Sequence, residues 1–184
     1  MKFAEYKNKV LNELSMTLNA VTEKNVEEIV EAILSAKKIF VNGVGRSGFM
    51  MRCFTMRLMH LGLAVYFLGE TTTSNTSKDD LLIIGSGSGE TLSLLTQLKK
   101  AKQIGCKVAL ITISGDCSMG QLANYIIKIP APTSKIKTSY SSIQPMGNLF
   151  EQSLLVTSEI IVMKLMKKMG NTSDEMFKNH ANLE

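Results

Sequence analysis

A turn rich in serine and glycine, GSGSGET at residues 85–91, carries the side chains best suited to binding an anion. The hydroxyls of Ser86, Ser88 and Thr91 lie within six residues, and glycines such as Gly87 let a ligand approach the backbone. A helix is predicted to follow, and the free N–H groups and dipole of a helix N-terminus favour a phosphate. Helix capping explains one such hydroxyl, but three are more than a cap requires. We therefore predict that Ser86, Gly87, Ser88 and Thr91 form a phosphate site.

A second glycine-rich turn, NGVGRSGF at residues 42–49, is predicted to end an earlier strand and to begin a helix. Gly45, Arg46 and Ser47 combine close backbone approach, a guanidinium and a hydroxyl, so we predict that they bind ligand oxygens. The same turn also matches the GxGxxG pattern of dinucleotide-binding folds, with Glu70 after the next strand where a ribose-binding acid would lie. A dinucleotide does not need the second, serine-rich turn, but nucleotide binding stays open as an alternative.

Glu151 and His60 are candidates for acid–base chemistry on a bound ligand, and His180 is a candidate for binding it. Glu151 lies in the first turn of the last predicted long helix, where a carboxylate can act as a base or can simply complement the helix dipole. The chain has two histidines, His60 and His180. His60 lies at the edge of an apolar helix stripe flanked by Met56 and Met59, which is typical of an oligomer interface. There it can polarise a carbonyl at a neighbouring subunit's site, or it can be a hydrogen-bonded interface side chain.

Five short apolar runs alternate with amphipathic helices and predict the elements that position these side chains. The runs are 39–41, 64–68, 81–84, 108–113 and 125–129. They are typical of strands covered on both faces, so we predict an α/β fold: a doubly wound, five-stranded parallel sheet flanked by helices, in flavodoxin-like order. The predicted single domain, 1–184, has two N-terminal helices (1–37) that pack on the sheet. A polar loop (130–147) is predicted to cover the site as a lid or wall, and 172–184 form a C-terminal tail.

The composition argues against several classes of protein. Of the 184 residues, 45% are hydrophobic and 20% are charged, which is ordinary for a globular domain. The net charge is +5, but Lys and Arg are scattered, which indicates an anionic ligand and no nucleic-acid partner. The polar N-terminus is no signal peptide, and the most apolar stretch (149–169) is interrupted by charges, so we expect a cytoplasmic protein with no membrane partner. Three cysteines without metal-ligand spacing predict reduced thiols and no metal site.

These segments resemble the sugar isomerase (SIS) family, in which a strand–turn–helix with the pattern S-x-S-G-E-T binds the phosphate of a phosphosugar. Within that family, the chain resembles the isomerases of hexulose phosphates more closely than it resembles the family in general. The resemblance rests on GVGRSGF at 43–49, MRLMHLG at 56–62, FLGET at 67–71, GSGSGET at 85–91, QPMGNLFEQ at 144–152 and HANLE at 180–184.

The resemblance implies an SIS domain that isomerises 3-hexulose 6-phosphate to fructose 6-phosphate through an enediol, a step of the ribulose monophosphate pathway. It implies that Glu151 is the catalytic carboxylate, and that His180, in the HANLE segment, docks near a site. It also implies a homo-oligomer, with a tetramer as the expected state, and no metal or organic cofactor. Two alternatives stay open: a regulatory module that binds a phosphosugar, and an isomerase of another ketose or aldose phosphate.

Overall fold

The computed structural model of the chain describes residues 1–133 and 138–183. Within them the chain forms helices α1 (Phe3–Asn19), α2 (Glu23–Ser35), α3 (Gly45–His60), α4 (Leu92–Ile104), α5 (Asn148–Met169) and α6 (Ser173–Phe177). The strands are β1 (Ile39–Gly43), β2 (Val65–Phe67), β3 (Leu81–Gly85), β4 (Lys107–Thr112) and β5 (Tyr125–Lys128). All five strands lie where the apolar runs of the sequence predict them, with ends that differ by one or two residues.

The five strands form one parallel sheet in the order β2-β1-β3-β4-β5. This is the flavodoxin-like order, so the predicted fold class is confirmed. Because β2 lies on one side of β1 and β3 on the other, the strand order reverses between β1 and β3. Doubly wound sheets bind ligands at such a reversal, beyond the carboxyl ends of the strands. In the register of these two strands Gly43 pairs with Gly85, so both predicted binding turns begin at the same level of the sheet.

Alternating side chains bury the sheet on both faces. On one face, Val41 and Ile83 join a core beneath α2, α3 and α5. On the other face, Phe40 and Ile84 join a smaller core beneath α4. Successive side chains of a strand point to opposite faces, so filling both cores requires continuous runs of Val, Ile and Leu.

The helices outside the sheet are held by different contacts. In α2, Ile29 is fully buried in the larger core, and the helix is joined to α5 by an ion pair in which Lys164 Nζ lies 2.6 Å from Glu23 Oε1. Helix α1 packs against α5, and Thr17 is its buried residue. Across residues 1–133 and 138–183, no helix combines the length and the apolarity that a membrane span needs.

Helix α3 begins close to strand β1 because two glycines meet there. A Cβ placed on Gly48 would lie 2.6 Å from the carbonyl oxygen of Gly43, and a Cβ on Gly43 would lie 3.1 Å from Cα of Gly48. A Cβ atom essentially never lies within 3.0 Å of a backbone oxygen, so residue 48 must be glycine for the helix to start at this distance from the sheet. The contact thereby fixes where Arg46 and Ser47 lie relative to the strand end.

Gly48→Ala should therefore destabilise the fold, because an added methyl group in a tight contact costs about 1–3 kcal/mol of unfolding free energy. Gly115→Ala is the matched control, since a Cβ there meets no described atom closer than 3.7 Å. We expect the control to stay within about 0.5 kcal/mol of wild type. Urea unfolding followed by circular dichroism measures both variants, and equal unfolding midpoints would contradict the proposed constraint.

Candidate functional site

A cavity of about 630 Å³ lies at the carboxyl ends of β1 and β3, where the strand order reverses. Its walls are the first turns of α3 and α5, the turn between β3 and α4, and the segment before α5. Three helices therefore begin at one cavity. The N–H groups in the first turn of a helix lack partners within that helix, and its dipole is positive at this end. The cavity is consequently suited to an anionic ligand.

Eight of the ten predicted site residues line this cavity together. They come from three separated segments of the chain and comprise Gly45, Arg46 and Ser47 after β1, Ser86, Gly87, Ser88 and Thr91 after β3, and Glu151 in α5. The fold thus brings the carboxylate to the same cavity as both glycine-rich turns. No group of three His, Cys, Asp or Glu side chains that could hold a metal ion occurs within the described residues.

The hydroxyls of the turn after β3 are positioned to bind a ligand. Ser86 and Ser88 are 4% and 7% exposed, and their oxygens accept hydrogen bonds from the backbone N–H groups of Gly89 and Glu90, each at 3.3 Å. A hydroxyl both donates and accepts, so each serine can still donate to a ligand oxygen. Within the described residues, Thr91 begins α4 without capping it through its own hydroxyl. Helix capping therefore does not account for these three side chains.

The acidic residue of the same turn, Glu90, lines a neighbouring cleft instead. Its Oε1 accepts a hydrogen bond from the backbone N–H of Ser118 at 2.7 Å. Hydrogen bonds with Ser118 lower the pKa of the Glu90 carboxyl below its ordinary value. The Glu90 carboxylate is thereby held in the neighbouring cleft and does not belong to the described residues that line the cavity.

Glu151 lies in the first turn of α5, and its side chain is 15% exposed. Arg46 Nε donates to Glu151 Oε2 at 2.5 Å, and Arg46 Nη2 donates to Asn148 Oδ1 at 2.7 Å. Among the contacts of the described residues, these use two of the five N–H groups of the guanidinium, so Arg46 can also bind ligand oxygens. A mostly buried carboxylate in the wall of a ligand cavity has the position that a base needs.

The segment before α5 forms another part of the wall. Met146 has a φ of 55°, which is uncommon for a residue with a side chain, and Thr133 lines the cavity from the other end of the polar loop. Residues 134–137 lie outside the described residues, and the lid over 130–147 stays a prediction. The sequence does not reveal Asn148 as a site residue, because a polar residue at a helix start is ordinary and its bond to Arg46 joins distant segments.

The two histidines lie against each other, apart from this cavity. Their rings stack with centroids 5.4 Å apart, beside a second cavity of about 300 Å³ whose walls include Arg57 and Phe177. Among the described residues, neither histidine belongs to the wall that holds Glu151. One chain therefore does not bring His60 or His180 to Glu151. Their predicted roles in catalysis and binding stay predictions that require a second copy of the chain.

Known proteins resemble this chain along its whole length. A sequence model of the SIS domain matches residues 32–156. The 3-hexulose-6-phosphate isomerase of Bacillus subtilis is 44% identical, covering 100% of both chains. The protein of the same name from Methanocaldococcus jannaschii is 42% identical over 88% of this chain and 85% of its own. The crystal structure of a hypothetical protein from Methanococcus jannaschii matches this chain with a TM-score of 0.85 and 38% identity, over 98% of this chain and 99% of that one. A molecular function of 3-hexulose-6-phosphate isomerase has been inferred for that protein from its structure.

Burial lowers the pKa of His60, and the charges of Arg57 and His180 lower it further below its ordinary value of 6.5. The folded protein therefore favours the neutral imidazole. Because the pKa is depressed on folding, the stability it contributes is present above the unfolded pKa and is lost as the pH falls through the folded pKa. We expect NMR titration of the ring protons to give His60 a lower pKa in the folded chain than in urea.

His60→Asn should accordingly reduce the loss of unfolding free energy between about pH 7.5 and pH 5.5. His180→Asn should have a smaller effect in the same direction, because it removes one of the two neighbouring charges that lower the pKa of His60 and leaves the burial and Arg57 in place. An unchanged pH dependence in His60→Asn would contradict the assignment.

Proposed function

The chain belongs to the SIS domain family, and we propose that it is a 6-phospho-3-hexuloisomerase, which converts 3-hexulose 6-phosphate into fructose 6-phosphate. The observation that carries the proposal is that the carboxylate of Glu151 and two glycine-rich turns share one cavity. Similarity to 3-hexulose-6-phosphate isomerases over the whole chain supports the choice of this sugar.

The turn after β3 is proposed to bind the phosphate group. A phosphate dianion needs several donors that converge from one side, and the hydroxyls of Ser86, Ser88 and Thr91 line one part of the cavity. The first turn of α4 adds backbone N–H groups and the positive end of its dipole. Gly87 lets the ligand approach the backbone between the two serines.

The sugar end of the cavity is proposed to carry out the proton transfer. The base takes the proton from C2 while the C3 carbonyl oxygen gains the negative charge of a 2,3-enediolate. The hydroxyl proton on the C2 oxygen passes to the C3 oxygen within the enediol, and the base returns its proton to C3 as the oxygen on C2 becomes the carbonyl. Glu151 is the proposed base. Arg46 is proposed to stabilise the negative charge that develops on the sugar oxygens, because its guanidinium lies beside that base. Gly45 and Ser47 are proposed to bind the sugar on the same side.

The chemistry of this substrate requires few catalytic groups. A five-membered ring that closed on C3 would use the oxygen on C6, which carries the phosphate. The sugar therefore stays open-chain, and no acid is needed to open a ring. Among the described residues that line the cavity, Glu151 is the carboxylate, and this fits a reaction that needs one base.

We propose that the enzyme works in the cytoplasm as a homo-oligomer, with a tetramer as the expected state. Exposed apolar side chains on the adjacent helices α3 and α5 support association, since Phe49 is 64% and Met163 is 66% exposed. His60 and His180 share the wall of the second cavity with Met163, so a partner on this surface would contact them. Free thiols support a reducing compartment.

Glu151→Gln should lower kcat by about 10²- to 10⁴-fold, the usual contribution of a positioned base, because an amide cannot take up the proton. Glu31→Gln on α2 is the matched control. Glu31 Oε1 lies 2.6 Å from Lys168 Nζ in an exposed pair away from both cavities, so we expect kcat to change less than about 3-fold. The assay supplies formaldehyde, ribulose 5-phosphate and a hexulose-phosphate synthase and follows the formation of fructose 6-phosphate.

The two possible failures of this test have different meanings. Wild-type protein that forms no fructose 6-phosphate would contradict the proposed substrate. A Glu151→Gln variant with the kcat of wild type would leave the substrate in place and remove Glu151 from the mechanism.

Ser88→Ala should raise KM by about 10- to 150-fold with a smaller effect on kcat, because a lost hydrogen bond to a charged oxygen costs roughly 1.5–3 kcal/mol. Thr96→Ala is the control, since that hydroxyl donates to the Leu92 carbonyl oxygen at 2.9 Å on the outer side of α4. Thermal stabilisation by fructose 6-phosphate gives a second measure of binding. Stabilisation by NAD and not by fructose 6-phosphate would favour the dinucleotide alternative.

A further inference from the structure

A continuous series of side-chain hydrogen bonds joins helix α1 to the proposed base. Glu13 Oε2 accepts from Gln144 Nε2 at 3.0 Å, and Gln144 Oε1 accepts from Asn148 Nδ2 at 2.9 Å. Asn148 Oδ1 accepts from Arg46 Nη2 at 2.7 Å, and Arg46 Nε donates to Glu151 Oε2 at 2.5 Å. A carboxylate outside the cavity wall is thus connected to the carboxylate inside it.

Glu13 is a fixed acceptor at the start of this series. Its carboxylate also accepts from Ser142 Oγ at 2.6 Å and from the backbone N–H of Ile143 at 2.8 Å. Burial raises the pKa of Glu13, but the hydrogen bonds from Ser142, Ile143 and Gln144, with the charge of Lys9, bring the pKa below its ordinary value. Glu13 is therefore ionised at neutral pH, and both of its oxygens only accept hydrogen bonds.

An acceptor of this kind at one end and a guanidinium, which only donates, at the other end require the same direction for every hydrogen bond between them. An amide side chain presents an NH₂ group on one side and an oxygen on the other. Since Glu13 only accepts, Gln144 must turn its NH₂ group toward Glu13 and its oxygen toward Asn148. Asn148 must then turn its NH₂ group toward Gln144 and its oxygen toward Arg46. A guanidinium has only donors, so Arg46 depends on that oxygen.

We propose that Glu13 is a positioning residue for the isomerisation, because by orienting Gln144 and Asn148 it holds Arg46 against Glu151. This inference rests on the proposed function, in which Glu151 is the base and Arg46 stabilises the charge on the sugar. It gives helix α1 a part in the reaction. It also explains why Gln144, a polar side chain only 8% exposed, is buried beside the start of α5.

A purely structural role for Glu13 leads to a different expectation. If Glu13 only tethered the segment 142–144 to α1, its loss would lower stability and would affect kcat and KM together or not at all. Loss of orientation acts instead on Arg46 and Glu151, and it leaves the phosphate-binding turn unchanged. The kcat should then fall while KM stays within about 2-fold of wild type.

The test is a double-mutant cycle on isomerase activity. In Glu13→Gln, the single amide oxygen can accept a hydrogen bond from the N–H of Ile143 or from the NH₂ group of Gln144, but not from both. We expect kcat to fall about 5-fold. In Gln144→Glu, two carboxylates face each other, and we expect a fall of about 10-fold. Glu28→Gln removes the same charge from an exposed pair with Lys24 at 3.9 Å and should keep the kcat of wild type.

The double variant Glu13→Gln/Gln144→Glu exchanges the two groups and restores the order of donors and acceptors. The amide at position 13 then donates to the carboxylate at position 144, which still accepts from Asn148. Asn148 therefore keeps its oxygen toward Arg46. We expect kcat to return to within about 3-fold of wild type.

Several results would overturn the inference. One is a kcat within about 2-fold of wild type in both single variants, and another is a double variant no better than Gln144→Glu. Unfolding midpoints in urea are measured for wild type, the two single variants and the double variant. If kcat simply follows the unfolding midpoint across these proteins, the inference is overturned. Recovery of kcat in the double variant without recovery of its midpoint supports the inference. Wild-type protein without isomerase activity overturns the proposed function and this inference with it, while an active wild type with an additive cycle overturns the inference alone.

Discussion

Strands β1 and β3 lie side by side in parallel register, with Gly43 paired to Gly85, so that both strands end at the same level of the sheet. The turns that follow leave in different directions, because α3 and α4 pack on opposite faces. A crevice opens between the turns, and Gly85 lies in its wall: a Cβ there would lie 2.6 Å from Sδ of Met51, a fully buried side chain of α3. The positions of Arg46 and of the serine hydroxyls depend on this pairing.

Core packing connects the third wall of the cavity to the other two. Helix α5 packs along α3, and Phe150 in its first turn is 2% exposed. A Cβ on Gly87 would lie 3.2 Å from Cδ1 of Phe150, so the aromatic ring rests directly on the turn proposed to bind phosphate. Glu151 is the next residue of the helix. The contact between Phe150 and Gly87 therefore determines how far the proposed base lies from the proposed phosphate site.

The sequence is sufficient to predict features that follow from local pattern and parallel topology. Ser86 and Arg46 each follow an apolar run, and the carboxyl ends of adjacent parallel strands must meet, so their common location can be predicted. Contacts between distant segments leave no local signal. Asn148 bonds to Arg46 across 102 positions and Gln144 to Glu13 across 131, and an amide or a carboxylate looks the same in sequence with or without its partner.

The contact between the two histidines is another that the sequence does not reveal, because it joins distant segments of the chain. A docked tail near a site is implied by resemblance alone, and the structure shows what the tail contacts within one chain. The Asn179 side chain donates to the backbone carbonyl of His60 at 2.9 Å, which brings the ring of His180 onto that of His60. This docking occurs at the carboxyl end of α3, whereas the cavity lies at its amino end. A helix of 16 residues spans about 24 Å, so the two regions of one chain cannot share a small ligand.

In the proposed reaction, the guanidinium of Arg46 stabilises first the carboxylate of Glu151 and then the negative charge on the sugar oxygens. Before proton transfer, the guanidinium faces the ionised carboxylate of Glu151 at 2.5 Å. As Glu151 takes the proton it becomes neutral, and its attraction for the guanidinium falls while negative charge grows on the sugar oxygens. Asn148 keeps the cation in place during this exchange through a neutral acceptor. The interaction with the sugar is therefore stronger in the transition state than in the bound substrate, and such a difference is what accelerates a reaction.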